Sequence, residues 1–531
     1  MISGPLTRMG WVVGLALLVG ACTGAEGIEP ADSTTSRFPT TTVSETSTAP
    51  IRETSQLVAA LDSEPRGFDP HLTTSEASLQ VLENVYDTLV EPGADMTMQP
   101  ALATEWEISQ DGLAWTFSLR EDVVFHNGRP LVADDVVYSF ERLMDPDLGA
   151  ANAFRFASIE EVTAIDDHTV QITLNRPTPN LLEIVGGFKG MAIVPREIVE
   201  ADLIDTQPVG TGPFRFVSAV PGGEILLERN PDYWRSDQGL PHLNGIRFVT
   251  VSDPLEALTG LVNGELDWID SVSPSEAARL QNDGSVVVQS IPSGDYHYLT
   301  LNQTRPPFGD VRVRRAIAMA IDREAVAEAA RPGAATPNQT AIPPSSFWYH
   351  DYEPYRPADL ESARALLEEA GVEGLTIELL VTSDFPETVV EAQVVTRQLQ
   401  PLGIQVHIVD VDFATWLDRQ ADGEFDAFLS MWIGNLDPDD FYYGQHHCNG
   451  KFNFQGYCNA EVDALLDAGR LETDPRVRKA LYDDAAELIV DEASYIYLYN
   501  PDVIQAWAAY VTGYQVGADG AARFVETRLD R

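Results

Sequence analysis

Residues 375–411 constrain the fold more than any other part of the chain. Leu375-Thr-Ile-Glu-Leu-Leu-Val381 is rich in β-branched and leucine side chains and reads as a strand. Glu387 to Leu402 reads as a helix, and Gly403 to Val411 alternates apolar and polar residues as a second strand does. Strand, helix and strand in that order make a βαβ unit, whose two strands pair in parallel. An α/β fold is therefore expected. Further helices agree with it. Asp310 caps a run predicted from Val311 to Ala330, with Val313, Ile317, Ala320 and Ile321 on one face. Asp474 precedes Pro475 at a first helical position, followed by Val477, Leu481, Ala485 and Leu488 at helical spacing. Pro357 to Ala370 ends at Gly371, a natural helix stop. These apolar stripes are core-packing features and carry no chemistry.

At 531 residues the chain is long for one core, and two or three lobes are expected. Breaks rich in Pro and Gly fall near Glu91-Pro-Gly, Gln207-Pro-Val-Gly, Arg305-Pro-Pro and Tyr499-Asn-Pro. At the N-terminus, Arg8 precedes a short apolar run, Trp11 to Val19, which fits a signal-peptide core and cannot span a bilayer. It leads into Val19-Gly20-Ala21-Cys22, which resembles the lipobox of bacterial lipoproteins. That resemblance implies removal of residues 1–21 and acylation of Cys22, so that lipid holds the protein on the membrane. Residues 22–54 are rich in Ser, Thr and Pro and bury too little to offset their ordering entropy. They are expected to form a disordered tether.

The net charge is −48 and there are only three lysines, Lys189, Lys451 and Lys479. Nucleic-acid binding is excluded, because phosphate contact needs a basic face. Cys448 and Cys458 lie in one short segment of an exported chain, which allows a disulfide-closed loop contributing about 3 kcal/mol; two free thiols are the alternative. No Gly-x-Ser-x-Gly, His-Glu-x-x-His or Gly-x-x-x-x-Gly-Lys pattern occurs, so an enzyme is not expected. Gly210-Thr-Gly212-Pro213 reads as a tight turn, since Pro213 removes a backbone donor an anion would need. His446-His447-Cys448 is the one metal-like cluster and offers too few ligands for a closed site. No metal and no cofactor are expected.

A long series of motifs covers most of residues 55–531. It begins at Phe68-Asp-Pro-His71, Glu83-Asn-Val-Tyr86-Asp-Thr-Leu-Val90 and Pro100-Ala-Leu-Ala-Thr-Glu-Trp106. It continues through Asp111-Gly-Leu-Ala-Trp115 and Phe125-His-Asn-Gly128 to Gly210-Thr-Gly-Pro-Phe214 and Arg229-Asn-Pro-Asp-Tyr-Trp234. Asn263-Gly-Glu-Leu-Asp267 and Pro307-Phe-Gly-Asp310-Val-Arg-Val-Arg-Arg-Ala316 follow. In number and order these resemble family 5 of the extracellular solute-binding proteins, the oligopeptide, dipeptide and nickel binders of ABC importers. Locally, Asp111-Gly112 and Asn127-Gly128 read as hairpin turns, and Trp115, Phe117 and Phe125 as packing anchors.

The resemblance implies a type II periplasmic-binding-protein fold, with two lobes, a hinge and a β-rich subdomain inserted in the first lobe. The expected pieces are lobe I at 55–95, the inserted subdomain at 96–204, lobe I again at 205–299, lobe II at 300–502 and lobe I at 503–531. Crossings are expected near Leu299 to Thr304 and Asn500 to Gln505. It further implies a monomer that passes a peptide or peptide-like solute to a permease and its ATPase. A ligand-sensing or chaperone role, or a sugar, opine or metal-chelate ligand, is the alternative.

The same resemblance places Met431, Trp432, Ile433, Gly434, Asn435 and Asp437 on the cleft wall. In peptide-binding relatives an aspartate three residues after the tryptophan pairs with the ligand's α-ammonium. Here that position is Asn435, so either Asp437 takes the charge role or the ligand has no free amine. Asp437-Pro438 also reads as a helix-starting turn. On the facing lobe Thr74, Ser75 and Glu76 are candidate contacts, although Thr74 or Ser75 equally suits a helix cap. Tyr298, Tyr497 and Tyr499 flank the crossings and either clamp a ligand or fill the hinge.

Overall fold

The strand–helix–strand at 375–411 takes its expected form in the computed structural model of the protein, which describes residues 55–93, 97–280, 283–433 and 437–531. The segment 1–21, the tether 22–54 with Cys22, and Gly434 and Asn435 lie outside the described residues. Strand Thr376–Val381 pairs in parallel with Gln405–Asp410, with Thr376 opposite Gln405. Helix Pro386–Leu399 connects them, with Pro386 in its first turn. A short 3-10 turn then ends at Gly403, whose φ of 77° is the left-handed stop that a glycine supplies. Strand Ala427–Trp432 lies on the other side of Thr376–Val381, and Tyr296–Leu301 lies beyond it.

The run from Val311 to Ala330 is two helices and not one. Val311–Ala320 stops at Ile321, and Arg323–Ala330 starts afresh because the Asp322 side chain accepts from the Ala325 N–H. Apolar spacing alone cannot reveal such a break, whereas an aspartate able to cap can create one.

Strand Tyr495–Ala508 organises the whole molecule. Its first half pairs antiparallel with Tyr296–Leu301, and its second half with Val286–Pro292, Val286 standing opposite Ala508. The chain therefore passes between lobes once near Asn500-Pro501 and once between Pro292 and Tyr296. The first passage lies earlier than the expected Leu299 to Thr304. Tyr296, Leu299 and Leu301 already belong to the second lobe's core, and Pro292-Ser293-Gly294 is the break that frees the chain to cross. Ser293 N–H donates to the Pro501 carbonyl at 3.0 Å, and Asn500 Nδ2 to the Asp295 carbonyl at 2.7 Å. The two passages are thus bonded to each other.

Three separate cores follow. The second lobe packs around its sheet. In the first lobe Gln56–Leu61 runs parallel to Gly245–Thr250 and to Trp268–Ile269. The returning C-terminal chain adds Tyr514 and Phe524 to Trp268, with ring centroids 6.0 and 5.2 Å away. The inserted subdomain has a four-stranded antiparallel sheet in the order 103–108, 114–119, 169–174, 159–166, covered by helix Ala133–Met144. Trp115, Phe117 and Phe125 are buried in it, each contributing about 1.5–3 kcal/mol or more. Gly112 turns the first hairpin with φ 70°. This core also recruits Leu89 and Val90, so it begins before residue 96.

Candidate functional site

The second lobe's wall is built at the end of strand Ala427–Trp432, where Trp432 stands opposite Tyr296. Met431 and Trp432 are half-buried and Ile433 is 62% exposed, an unusual exposure for a large apolar side chain. The Phe452 ring meets Trp432 edge-on at 5.0 Å. These side chains give an apolar surface directly before Gly434 and Asn435.

Asp437 does not extend that surface. Its side chain is 1% exposed and pairs with Arg478, which is 4% exposed. Arg478 donates to both carboxylate oxygens, at 2.7 Å to Oδ1, and Oδ1 also accepts from the Asp439 N–H at 2.9 Å. Asp437 is therefore the helix-starting aspartate before Pro438, and its charge is already offset. The expectation that it could read a ligand's amine is corrected on this ground. Arg478 escaped the sequence reading because it lies 41 residues away on a helix, Pro475–Asp491, that shows only a packing stripe.

On the first lobe, Ser75 caps helix Glu76–Leu82, accepting from the Ser78 N–H at 3.4 Å. Thr74 and Glu76 are exposed. Desolvation of the Glu76 carboxyl, followed by Asp62 and Asp295, nonetheless raises its pKa. Asp62 follows strand Gln56–Leu61, and Asp270 follows the neighbouring Trp268–Ile269. Asp270 accepts from Gln80 and Gln505 at 3.2 and 3.4 Å, and burial, with Glu76 and Asp62, holds its pKa well above the usual carboxylate range. None of these neighbours was legible in the sequence. They come from separate strand ends, and only the tertiary fold brings them together.

Tyr298, Tyr497 and Tyr499 fill the second lobe and do not clamp an open space. Each is at most 2% exposed. Tyr298 stacks on Tyr495 at 4.1 Å, and burial pushes its hydroxyl up to about 12. The Tyr497 hydroxyl lies 2.9 Å from His446 Nε2. Tyr499 donates to Glu391 Oε1 at 2.5 Å and stacks on His297, whose Nδ1 lies 2.7 Å from the same carboxylate. Buried hydroxyls need such partners, which is why all three are occupied.

Cys448 and Cys458 are joined in a disulfide. His446 points into the core, bonded to Ser494 and Tyr497, and burial drops its pKa to about 3. His447 turns the other way, with Nε2 3.8 Å from Asp463 and 3.7 Å from Asp467. The adjacent residues 446–448 thus do not form one ligand set. Cys448, Cys458 and Asp463 do cluster, but the two sulfurs are bonded to each other.

Residues 97–453 match the model described as bacterial extracellular solute-binding proteins, family 5 Middle. The chain is 31% identical over 509 residues to the probable di/tripeptide-binding protein 5 of Pseudomonas aeruginosa, covering 90% of this chain and 96% of that protein. Among solved structures, HbpA2 from Haemophilus parasuis superposes with a TM-score of 0.82 at 28% identity, covering 89% of this chain and 99% of that one. DppA from Helicobacter pylori, in complex with the peptide STSA, gives 0.73 at 27% identity, covering 90% and 99%.

Proposed function

Because the chain belongs to family 5 of the bacterial extracellular solute-binding proteins, we propose that it captures a peptide or peptide-like solute between its lobes and delivers it to an ABC permease and its ATPase. The observation that carries this reading is the hinge. Two lobes with separate cores share strand Tyr495–Ala508 and are linked again at 293–295. Such a joint lets the lobes swing as rigid bodies, and a solute touching both of them stabilises the closed arrangement. The names of the peptide-binding relatives support the ligand class. Among the described residues no helix is long and apolar enough to cross a membrane. Anchoring falls to the acylated Cys22, with residues 22–54 as the leash, and the protein works as a monomer.

The proposed contacts are Met431, Trp432, Ile433, Gly434 and Asn435 from the second lobe, and Thr74, Ser75 and Glu76 from the first. Trp432 supplies a flat apolar wall. Asn435 donates one hydrogen bond and accepts another, which suits an amide or hydroxyl group. With Asp437 held by Arg478, the described residues of this wall present no carboxylate to a ligand's amine. Native mass spectrometry of the protein purified from its source tests the proposal. A peptide-sized solute, bound one to one and released intact on unfolding, is the expected result. A carbohydrate or a metal chelate in that place, or recovery of a cleaved product, would replace it.

A further inference from the structure

A loop closed by the Cys448–Cys458 disulfide packs against the Trp432 wall. Phe452 is the loop residue whose ring meets the indole edge-on. Two glycines let the loop lie flat on the end of helix Asp439–His446. The Phe452 N–H donates to the Gly444 carbonyl at 2.8 Å, and a Cβ added at Gly444 would sit 3.0 Å from Phe452 Cδ2. A Cβ added at Gly450 would collide with the Gly444 carbonyl oxygen. Asn453 ties the loop together, its Nδ2 donating to the His447 and Tyr457 carbonyls at 3.0 and 2.6 Å. Two further side chains explain each other. Phe154 stands on the short 3-10 turn Ala153–Ser158 of the inserted subdomain. Phe156 of the same turn is buried, with its ring centroid 5.5 Å from that of Phe140, whereas Phe154 is 54% exposed. Lys451 is one of three lysines in a chain of net charge −48. Lys479 lies 2.7 Å from Asp483, but among the described residues no carboxylate is paired with Lys451. Its ammonium lies instead 5.4 Å from the Phe154 ring centroid and 5.3 Å from that of Phe452. A ring attracts an ammonium within about 6 Å of its centroid, so Lys451 holds one ring from each lobe. Arg155, next in the same turn, lies 5.7 Å from the Phe154 ring and 3.1 Å from Asp440, which docks the turn on the second lobe.

We propose that Phe154, Lys451 and Phe452 form a bridge from the inserted subdomain to the solute wall, and that Lys451 and Phe452 are positioning residues for Trp432. This rests on the reading of Trp432 as a solute contact. A half-buried indole at the end of a strand can turn about its side-chain bonds, and a ring held edge-on against it fixes the face it presents. Phe452 is that ring. Lys451 draws Phe452 and Phe154 to its two sides, so the wall is held most firmly when the subdomain rests on the second lobe. With the subdomain away, Lys451 keeps one ring and its ammonium returns to water. A wall already ordered before the solute arrives lowers the cost of binding. None of the three side chains needs to touch the solute for this.

The first readout needs no solute. Growth on 5-fluorotryptophan labels all nine tryptophans of the full chain, and the fluorine resonance missing from W432F is that of Trp432. K451M and F154L leave the ring beside Trp432 intact, yet both are expected to move or broaden that resonance. K451R, which keeps a cation between the rings, is expected to leave it in place. Calorimetry with alanylphenylalanine is the second readout. K451M weakens binding about two- to fivefold and F452A up to about tenfold. Neither weakens it further in a W432A background, because both act through the indole. A Trp432 resonance that stays in place in either K451M or F154L overturns the proposal. So does an unchanged affinity in K451M, or an F452A loss that is as large without Trp432 as with it, which would put Phe452 on the solute itself. Lys451 and Phe154 are both exposed, so the outcome does not depend on how well F452A folds. A wild-type protein that binds no dipeptide removes the peptide reading, and the fluorine spectra then decide the bridge alone.

Discussion

Arg478→Met removes the guanidinium that neutralises Asp437 and leaves a carboxylate that is 1% exposed without its partner. Breaking a buried pair from one side costs about 3–5 kcal/mol, because the remaining charge has neither water nor a counterion. The variant also loses the Arg478 Nε bond to the Gly469 carbonyl at 2.9 Å and the packing of the guanidinium over Trp348 and Tyr482. For a cooperative unit of roughly 200 residues, the unfolding entropy is about 0.4 kcal/mol/K, so Tm falls by about 7–12 °C. Differential scanning calorimetry of the second lobe's transition measures this. Adding Asp437→Asn to Arg478→Met removes the orphaned charge and recovers about half of the loss. If Arg478→Met lowers Tm by less than about 2 °C, or if the double variant is no more stable than the single one, Asp437 is solvated. It would then be open to a ligand after all.

Cys22→Ala moves the protein from the membrane fraction to the soluble fraction, and mass spectrometry of the wild-type N-terminal peptide finds acyl chains on Cys22. On the proposed reading of Asn435 as a neutral contact, calorimetry with matched free and N-acetylated dipeptides shows less than a tenfold loss on acetylation, about 1.4 kcal/mol. A hundredfold loss would transfer amine reading to Glu76. Trp432→Ala weakens all ligands, and Asn435→Asp favours cationic over neutral ones. His446 is buried neutral with its pKa at about 3, so below pH 6.5 the unfolded chain binds a proton that the folded chain refuses. Stability then falls by up to about 1.4 kcal/mol per pH unit between pH 6.5 and 3. Urea titrations at pH 7 and pH 5 show this as a slope that His446→Asn reduces.

Features that depend on near neighbours were legible in the sequence. The parallel pair at 376–410, the Gly112 and Gly128 turns and the caps at Asp310 and Asp474 follow from side chains acting within a few residues. Features that depend on distant partners were not. Periodicity carried the helix through Ile321, because nothing in an apolar stripe reports that Asp322 will cap a new start. The first crossing was placed too late, because Tyr296 to Leu301 has the composition of a strand in either lobe and only its pairing with Ala427–Trp432 assigns it. A charge role and a helix-starting turn stay open for Asp437 in the sequence, because Arg478, which decides between them, lies on another helix. A clamp and a hinge filling stay equally open for the three tyrosines in the sequence, because it does not show His446 waiting for the Tyr497 hydroxyl or Glu391 for that of Tyr499.

Strand Tyr495–Ala508 also decides when this chain can finish folding. Until residue 499 is in place, Tyr296–Leu301 has an open edge in the second lobe. Until residue 508 is in place, Trp268–Ile269 and Val286–Pro292 have open edges in the first. Both sheets therefore wait for one segment that lies far downstream of its partners, as in His297 with Tyr499 and Trp268 with Trp507. Pairings of such long sequence separation are slow to form, since a large loop must close before they reward it. The chain is thus kept short of a finished sheet in either lobe until that segment has been made. A truncation before residue 495 leaves both lobes incomplete, not one.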